Sequence, residues 1–204
     1  MITVINYGVG NINAFINIYK KHGIPANIAT HFRDLDNVNN LILPGVGSFD
    51  YAMQMLNASG MRERLDELVL NEKKNVLGVC VGMQMMAMSS EEGKSEGLGW
   101  IRGKVKKINT APIKHRSKLP HMGWNMVKSI KDHVIFKDMQ EEELFYFLHS
   151  YYFEVENEKN CYGLTHYGKD FASIIHEENI YGIQCHPEKS HTAGETFLKN
   201  FAKL

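Results

Sequence analysis

One cysteine stands where a tight turn would leave its thiol reactive. The segment Gly78-Val-Cys80-Val-Gly82 follows the apolar run Asn75–Val79 and precedes a Met-rich stretch expected to be helical. Strand, Gly-x-Cys-x-Gly and helix in this order form a nucleophile elbow, in which flanking side chains would collide if they were not glycine. The positive helix end favours a thiolate at Cys80, and the backbone N–H of Val81 would face the oxyanion of a tetrahedral intermediate. Taken alone, the pattern also fits a buried cysteine in a glycine-rich turn.

A base for this thiol is found near the other end of the chain. The segment His186-Pro-Glu188 follows the strand-like run Ile180–Gln184. In an extended chain, residues two apart point to the same side, so Glu188 can orient the imidazole of His186. Cys80, His186 and Glu188 would then be the nucleophile, base and orienting acid of a cysteine hydrolase. By itself, His-Pro-Glu also fits a solvated turn.

The elements around these segments predict an α/β fold with one domain over residues 1–204. Strands near Ile2–Tyr7, Ala26–Ala29, Leu41–Leu43 and Asn75–Val79 alternate with helices at Asn11–His22 and Gly60–Glu72, which predicts a mostly parallel central sheet flanked by helices. After Trp100, short strand-like runs predict antiparallel additions to the sheet in the second half. These runs are Ile101–Ile108, Leu144–Phe147, Tyr152–Glu156, Cys161–Thr165, Phe171–Ile175 and Ile180–Gln184, and a closing helix covers Ala193–Ala202.

Composition and charge narrow the function classes. The 204 residues are 44% hydrophobic and 23% charged, and 23 basic residues balance 23 acidic ones. A chain without a net positive field is not expected to bind nucleic acid or an anionic membrane. No signal peptide or 18-residue apolar run is present, and three widely spaced cysteines suit free thiols, so we expect a cytoplasmic protein. His115 and His121 lack companion ligands at zinc spacing, so no metal site is expected.

Together, these segments resemble class I glutamine amidotransferases, and within that family the glutaminase subunits of imidazole glycerol phosphate synthases. The resemblance covers nearly the whole chain. Two features discriminate that subunit type: Pro120–Asn125, and Lys189-Ser190 after the His-Pro-Glu segment. Val81 and Cys185 depart from the common leucine and phenylalanine of the family. The matching segments are Pro44–Phe49, Gly78–Gln84, Pro120–Asn125, His149–Tyr151 and His186–Ser190.

The resemblance implies a role for further residues. The loop Gly45, Val46 and Gly47 would join Val81 in binding the oxyanion, after reorienting. Gln84 and Glu92 would contact the amino and carboxylate ends of glutamine, and backbone groups would complete the pocket. Those groups belong to Gly47, His149, Ser150 and Tyr151, while Asn11, Trp124, Tyr146 and Lys189 would lie toward the partner.

The resemblance also implies the reaction and the partner. L-glutamine would be hydrolysed without a cofactor, and the ammonia would pass to a barrel-shaped cyclase subunit that makes imidazole glycerol phosphate during histidine synthesis. Three alternatives stay open. The chain could be a paralogue that serves another amination, such as surface-polysaccharide sugar synthesis, a stand-alone cysteine hydrolase, or a non-catalytic regulatory subunit.

Overall fold

The computed structural model describes residues 1–114 and 118–204, so His115 lies outside the described residues. The helices are α1 (Ile12–Lys21), α2 (Phe49–Ala58), α3 (Arg62–Asp66), α4 (Val81–Met85) and α5 (His191–Phe201). The strands are β1 (Ile2–Ile5), β2 (Ala26–Ala29), β3 (Asn40–Gly45), β4 (Asn75–Cys80), β5 (Ser89–Ser90), β6 (Gly103–Lys107), β7 (His121–Ser129), β8 (Glu142–His149), β9 (Tyr151–Val155), β10 (Cys161–Tyr167), β11 (Lys169–Glu177) and β12 (Ile180–Ile183).

The larger sheet is mixed, and its order is β2-β1-β3-β4-β12-β11-β10-β7-β8. Strands β2, β1, β3, β4 and β12 pair in parallel, whereas β11, β10, β7 and β8 add antiparallel pairs. A second small sheet has the order β5-β6-β9. The predicted α/β fold, parallel first and antiparallel later, is therefore confirmed.

Parallel pairing brings distant parts of the chain to one edge of the sheet. Gly45, at the end of β3, lies opposite Cys80, at the end of β4, and Ile183 of β12 lies opposite Val79. The segments that leave the carboxyl ends of these strands therefore emerge side by side. In open α/β sheets this edge is where ligands bind.

The sequence-based expectation lacked helix α2, strand β7 and the two-residue strand β5. Helix α2 is capped by Ser48, whose hydroxyl accepts a hydrogen bond from Tyr51 N, and it buries Phe49, Ala52, Met53 and Leu56. That i, i+3, i+4, i+7 spacing is a helical signal that the prediction overlooked. Strand β7 was also overlooked, although Met122, Trp124 and Met126 recur at every second position, which is a strand signal. In the structure these three side chains are exposed.

Other boundaries also differ from the predicted ones. The helix expected over Gly60–Glu72 is the short α3 followed by a π-helical turn at Glu67–Asn71. The Met-rich helix after Cys80 ends after five residues, at Met85. In the described part of the chain, no helix has the length and apolar character needed to span a bilayer.

We expect Gly82→Ala to destabilise the fold severely. A Cβ atom at Gly82 would lie 1.9 Å from the carbonyl oxygen of Leu43, a backbone atom that cannot move without shifting β3. We expect a loss of about 3 kcal/mol or more in the free energy of unfolding, measured by urea denaturation. Gly23→Ala is the control, because a Cβ there meets nothing within 4 Å and only the φ of +66° is unfavourable. It should cost roughly 1–2 kcal/mol, and equal losses in the two variants would contradict the steric argument.

Candidate active site

Cys80 occupies a strained turn between β4 and α4. Its backbone has φ +55° and ψ −113°, a conformation that a residue other than glycine rarely adopts. Glycines surround the turn where backbones approach: a Cβ at Gly78 would lie 2.7 Å from Gly82 O, and one at Gly45 would lie 2.3 Å from Gly82 N. The turn therefore has the geometry of a nucleophile elbow, with the thiol at the start of a helix.

His186 reaches Cys80 from the neighbouring strand. It follows the end of β12, and its Nδ1 lies 2.8 Å from Glu188 Oε1. The expected extended geometry between these two residues was wrong, since Pro187–Lys189 forms a 3₁₀ turn, yet the contact is made. The segment is anchored to β8, because His186 N donates to Tyr146 O at 2.8 Å and Tyr146 N donates to Ser190 Oγ at 3.0 Å.

The charge state of His186 is set by its two acidic neighbours. Burial acts to lower the pKa of His186, but hydrogen bonds to the Cys80 sulfur and the Glu188 carboxylate outweigh it and raise that pKa to about 10. The His186 and Glu188 side chains are only 4% and 3% exposed, so water screens this interaction little. A protonated imidazole beside Cys80 holds a proton for a leaving group.

A cavity of about 290 Å³ opens onto the thiol. The structure places in its wall Cys80 and His186, and also Val46, Gly47 and Val81 from the expected oxyanion set. All the residues expected to bind glutamine line it as well, namely Gly47, Gln84, Glu92, His149, Ser150 and Tyr151. Glu188 and Gly45 do not line the cavity. Glu188 contacts the side of His186 that carries Nδ1, and Gly45 packs against Gly82 in the turn after Cys80.

Two of the expected glutamine ligands are tied to the scaffold. Glu92 Oε2 accepts a hydrogen bond from Phe49 N at the start of α2, at 2.8 Å. Gln84 Nε2 donates to Tyr151 O and to Gln184 Oε1, both at 2.9 Å. The Glu92 carboxylate and the Gln84 amide oxygen keep further acceptor positions. An ammonium group, such as the one that glutamine carries, needs acceptors of this kind.

Sequence reasoning missed some of the residues in and around the cavity. Gln184 bridges Gln84 and the thiol, with its Nε2 3.7 Å from Cys80 Sγ. Pro120 and Leu148 also line the cavity. Gln184 precedes Cys185 and His186 in the sequence, so its nearness to the base was a usable signal, but its contact with Gln84 depends on the pairing of β12 with β4.

The residues expected to face the partner do not all lie together. Lys189 lines the cavity, and its Nζ lies 5.7 Å from the centroid of the Tyr146 ring. The ring of Tyr146 meets that of Trp124 edge to face at 6.1 Å. Asn11 is exposed immediately before α1 and does not line the cavity.

Comparison with known proteins gives one consistent family. The family model for glutamine amidotransferase class-I matches residues 3–204. The chain is 47% identical over 204 residues to imidazole glycerol phosphate synthase subunit HisH of Bdellovibrio bacteriovorus and to that of Leptospira borgpetersenii, with complete coverage of both chains in each case. The chain belongs to the class I glutamine amidotransferase family, in the branch that these HisH subunits form.

Solved structures share the fold at low sequence identity. A protein described as a putative GMP synthase subunit, from Thermoplasma acidophilum, superposes with a TM-score of 0.73 at 20% identity, covering 99% of this chain and 92% of that one. A structure described as a glutamine amidotransferase superposes with a TM-score of 0.76 at 14% identity, covering 100% and 99%. At these identities the likeness concerns the fold alone.

We expect a glutamine-like diazoketone to alkylate Cys80 alone among the three cysteines. Burial raises the pKa of Cys161 to about 11 and that of Cys185 well above its usual range, so both remain thiols near neutral pH. Cys80 borders the cavity and faces His186. Peptide mapping by mass spectrometry should find the label on Cys80, and excess glutamine should slow its appearance. Label on Cys161 or Cys185 would overturn the assignment of the nucleophile.

Proposed function

We propose that this chain is the glutaminase subunit of an imidazole glycerol phosphate synthase and acts in histidine biosynthesis. The observation that carries the proposal is Cys80 at a nucleophile elbow, backed by His186 and Glu188, at the end of a cavity of about 290 Å³. Full-length similarity to HisH subunits supports the same function. The three cysteines are free thiols, which suits a reducing cytoplasm.

The reaction needs only groups that the chain supplies. The Cys80 thiolate attacks the side-chain amide carbon of glutamine and forms a tetrahedral intermediate. His186 gives its proton to the amide nitrogen, the C–N bond breaks, and ammonia leaves a thioester on the sulfur. Neutral His186 then takes a proton from water, the resulting hydroxide attacks the thioester, and glutamate and the Cys80 thiolate are released. Glu188 holds the imidazole in orientation throughout.

The oxyanion is stabilised by backbone N–H groups. Val81, the first residue of α4, offers one, and the segment Gly45–Gly47 lies beside it. Gly47 has a φ of +84°, so it is held in a conformation natural to glycine and is able to reorient. We assign the second donor to this segment. A single oxyanion donor contributes about 2.7–4 kcal/mol to transition-state stabilisation, so its orientation sets the rate of hydrolysis.

Beside the cavity, this protein exposes an apolar surface on which a partner subunit could dock. On one side of the β7–β8 hairpin, cross-strand pairing brings together Met122 with Leu148, Trp124 with Tyr146, and Met126 with Leu144; we call these six residues the hairpin face. Met122 is 65% exposed and Trp124 is 47% exposed. Contiguous apolar groups on an exposed face are typical of a protein–protein interface.

The hairpin face also adjoins the place where ammonia forms. Leu148 belongs to this face and lines the cavity, and its carbonyl oxygen lies 3.9 Å from Cys80 Sγ. Lys189 lies over the ring of Tyr146. We infer that the cyclase subunit docks here, reaches Asn11 after the carboxyl end of β1, and receives ammonia between Leu148 and Lys189.

Replacing Cys80 by alanine should separate the two halves of the reaction. We expect glutamine-dependent synthesis of imidazole glycerol phosphate to fall below about one thousandth of the normal rate. Synthesis with added ammonium salt should continue, because the variant still docks on the cyclase subunit. The assay uses the organism's cyclase subunit with each nitrogen source, and Cys161→Ala is the control that keeps both activities. Loss of both activities in Cys80→Ala would show that Cys80 is structural.

A charge on the hairpin face should disrupt assembly. Leu144 and Val134 are both 50% exposed aliphatic residues, but only Leu144 belongs to the hairpin face. We expect Leu144→Glu to weaken binding to the cyclase subunit at least tenfold, or about 1.4 kcal/mol, whereas Val134→Glu should change it less than threefold. Isothermal titration calorimetry measures both. Equal effects of the two substitutions would exclude the hairpin face as the docking surface.

A further inference from the structure

Two buried histidines, His149 in the cavity wall and His121 next to it, link the cavity to strand β7. His149, at the end of β8, directs its Nδ1 to Tyr151 O at 2.7 Å and its Nε2 to His121 Nδ1 at 2.9 Å. The Nε2 of His121 lies 3.1 Å from Asn125 Nδ2. Neither histidine takes part in the proposed chemical steps.

The groups at the two ends of this series of hydrogen bonds fix the direction of every hydrogen bond in the series. At one end, Tyr151 O is a carbonyl and only accepts, so His149 Nδ1 must carry the proton. At the other end, the Asn125 amide is oriented by backbone groups, because Met126 N donates to its Oδ1 at 2.8 Å and its Nδ2 donates to His166 O at 3.0 Å. Its Nδ2 therefore donates to His121 Nε2 as well.

Only one pair of tautomers satisfies both ends. Because His149 carries its proton on Nδ1, its Nε2 accepts, and His121 Nδ1 must donate to it. His121 Nε2 is then the acceptor that Asn125 Nδ2 requires. The hydrogen bonds run in one direction, from Asn125 through His121 and His149 to the carbonyl of Tyr151.

Burial keeps both rings in the neutral form that this pattern needs. It lowers the pKa of His121 to about 4, and the pKa of His149 falls to about 3 through burial and the proximity of His121 and His186. The His121 ring is also held in place by stacking, with centroid distances of 3.9 Å to Tyr167 and 4.7 Å to Phe147. The ring is therefore fixed in position as well as in tautomer.

Tyr151, which accepts the last hydrogen bond of the series, is part of the cavity wall. Tyr151 O accepts from His149 Nδ1 and also from Gln84 Nε2, so both of its lone pairs are used. The carbonyl before it, Ser150 O, accepts from Ile108 N at 3.0 Å. The backbone at Ser150–Tyr151, which lines the cavity, is thus held from both sides.

We propose that His121 is a positioning residue for glutamine binding, which acts through His149 on the backbone of Ser150 and Tyr151 and whose tautomer is set by Asn125. The substrate named here rests on the proposed glutaminase function, whereas the hydrogen-bond directions do not. Without the donor at His121 Nδ1, the Nε2 of His149 is a buried acceptor that receives no hydrogen bond, so the ring is held in place against Tyr151 O from one side only. The effect falls on substrate binding more than on the chemical step.

The tautomers are directly measurable in the full-length chain. Long-range ¹H–¹⁵N correlation spectra of the histidine rings, assigned by single substitutions, distinguish protonated from bare ring nitrogens. We expect both His121 and His149 to be neutral and protonated on Nδ1 at pH 7. A proton on Nε2 of either ring would overturn the proposal, and this measurement is independent of any enzymatic activity.

A matched pair of substitutions at His121 separates the donor from the ring. His121→Phe keeps the stacked ring and removes the donor, whereas His121→Asn places an amide N–H where Nδ1 was. We expect His121→Phe to raise the KM for glutamine about tenfold with kcat changed less than threefold, and His121→Asn to restore most of the affinity. Equal KM values in the two variants would show that the donor has no role.

A second pair at Asn125 keeps the proposal falsifiable if a His121 variant fails to fold. Asn125→Asp replaces the donor with an acceptor, which forces a proton onto His121 Nε2, whereas Asn125→Ala only removes the donor. We expect the aspartate to raise KM more than the alanine and to shift the His121 Nε2 resonance to its protonated position. A larger effect from alanine would indicate a merely structural contact. A wild-type chain without glutaminase activity in the presence of the cyclase subunit would refute the proposed function and leave the tautomer result standing.

Discussion

The close approach of the β3 backbone to the turn after β4 is the constraint on which the site depends. Gly82 lies so near Leu43 O, and Gly45 so near Gly82 N, that no side chain fits at either position. This approach holds Cys80 in a positive-φ conformation that costs roughly 1–2 kcal/mol, and the buried core around β3 and β4 must offset that cost. The same contact places Gly45, in the proposed oxyanion segment, opposite Cys80.

His186, the proposed catalytic base, is held by strands β12 and β8. Strand β12 pairs with β4 and delivers His186 to the same sheet edge as Cys80, and β8 fixes it through Tyr146 O. Strand β8 also carries half of the hairpin face, so one strand contacts both the catalytic base and the proposed docking surface. A shift of β8 on docking would therefore act on His186 through two hydrogen bonds, His186 N to Tyr146 O and Tyr146 N to Ser190 Oγ.

Neighbouring imidazoles at this site have opposite protonation states. Hydrogen bonds to the Cys80 sulfur and the Glu188 carboxylate outweigh burial and raise the pKa of His186 to about 10. Burial and the proximity of His121 and His186 lower the pKa of His149 to about 3. One ring is thus suited to hold a proton for ammonia, and the other is suited to fixed, directional hydrogen bonding. Local partners, rather than residue type, determine which role each histidine has.

The sequence by itself determined those features that depend on residues close together in the chain. Gly78-Val-Cys80-Val-Gly82 specifies a tight turn because only glycine fits there, and His186 and Glu188 are close enough in sequence to contact each other in an extended segment or a turn. The α/β class followed from alternating strand and helix patterns. Tertiary structure alone decided that β12 pairs with β4, which places His186 beside Cys80, and that β7 turns its apolar side outward. Those outcomes depend on pairings between residues far apart in the chain, for which hydrophobic periodicity along the sequence carries no signal.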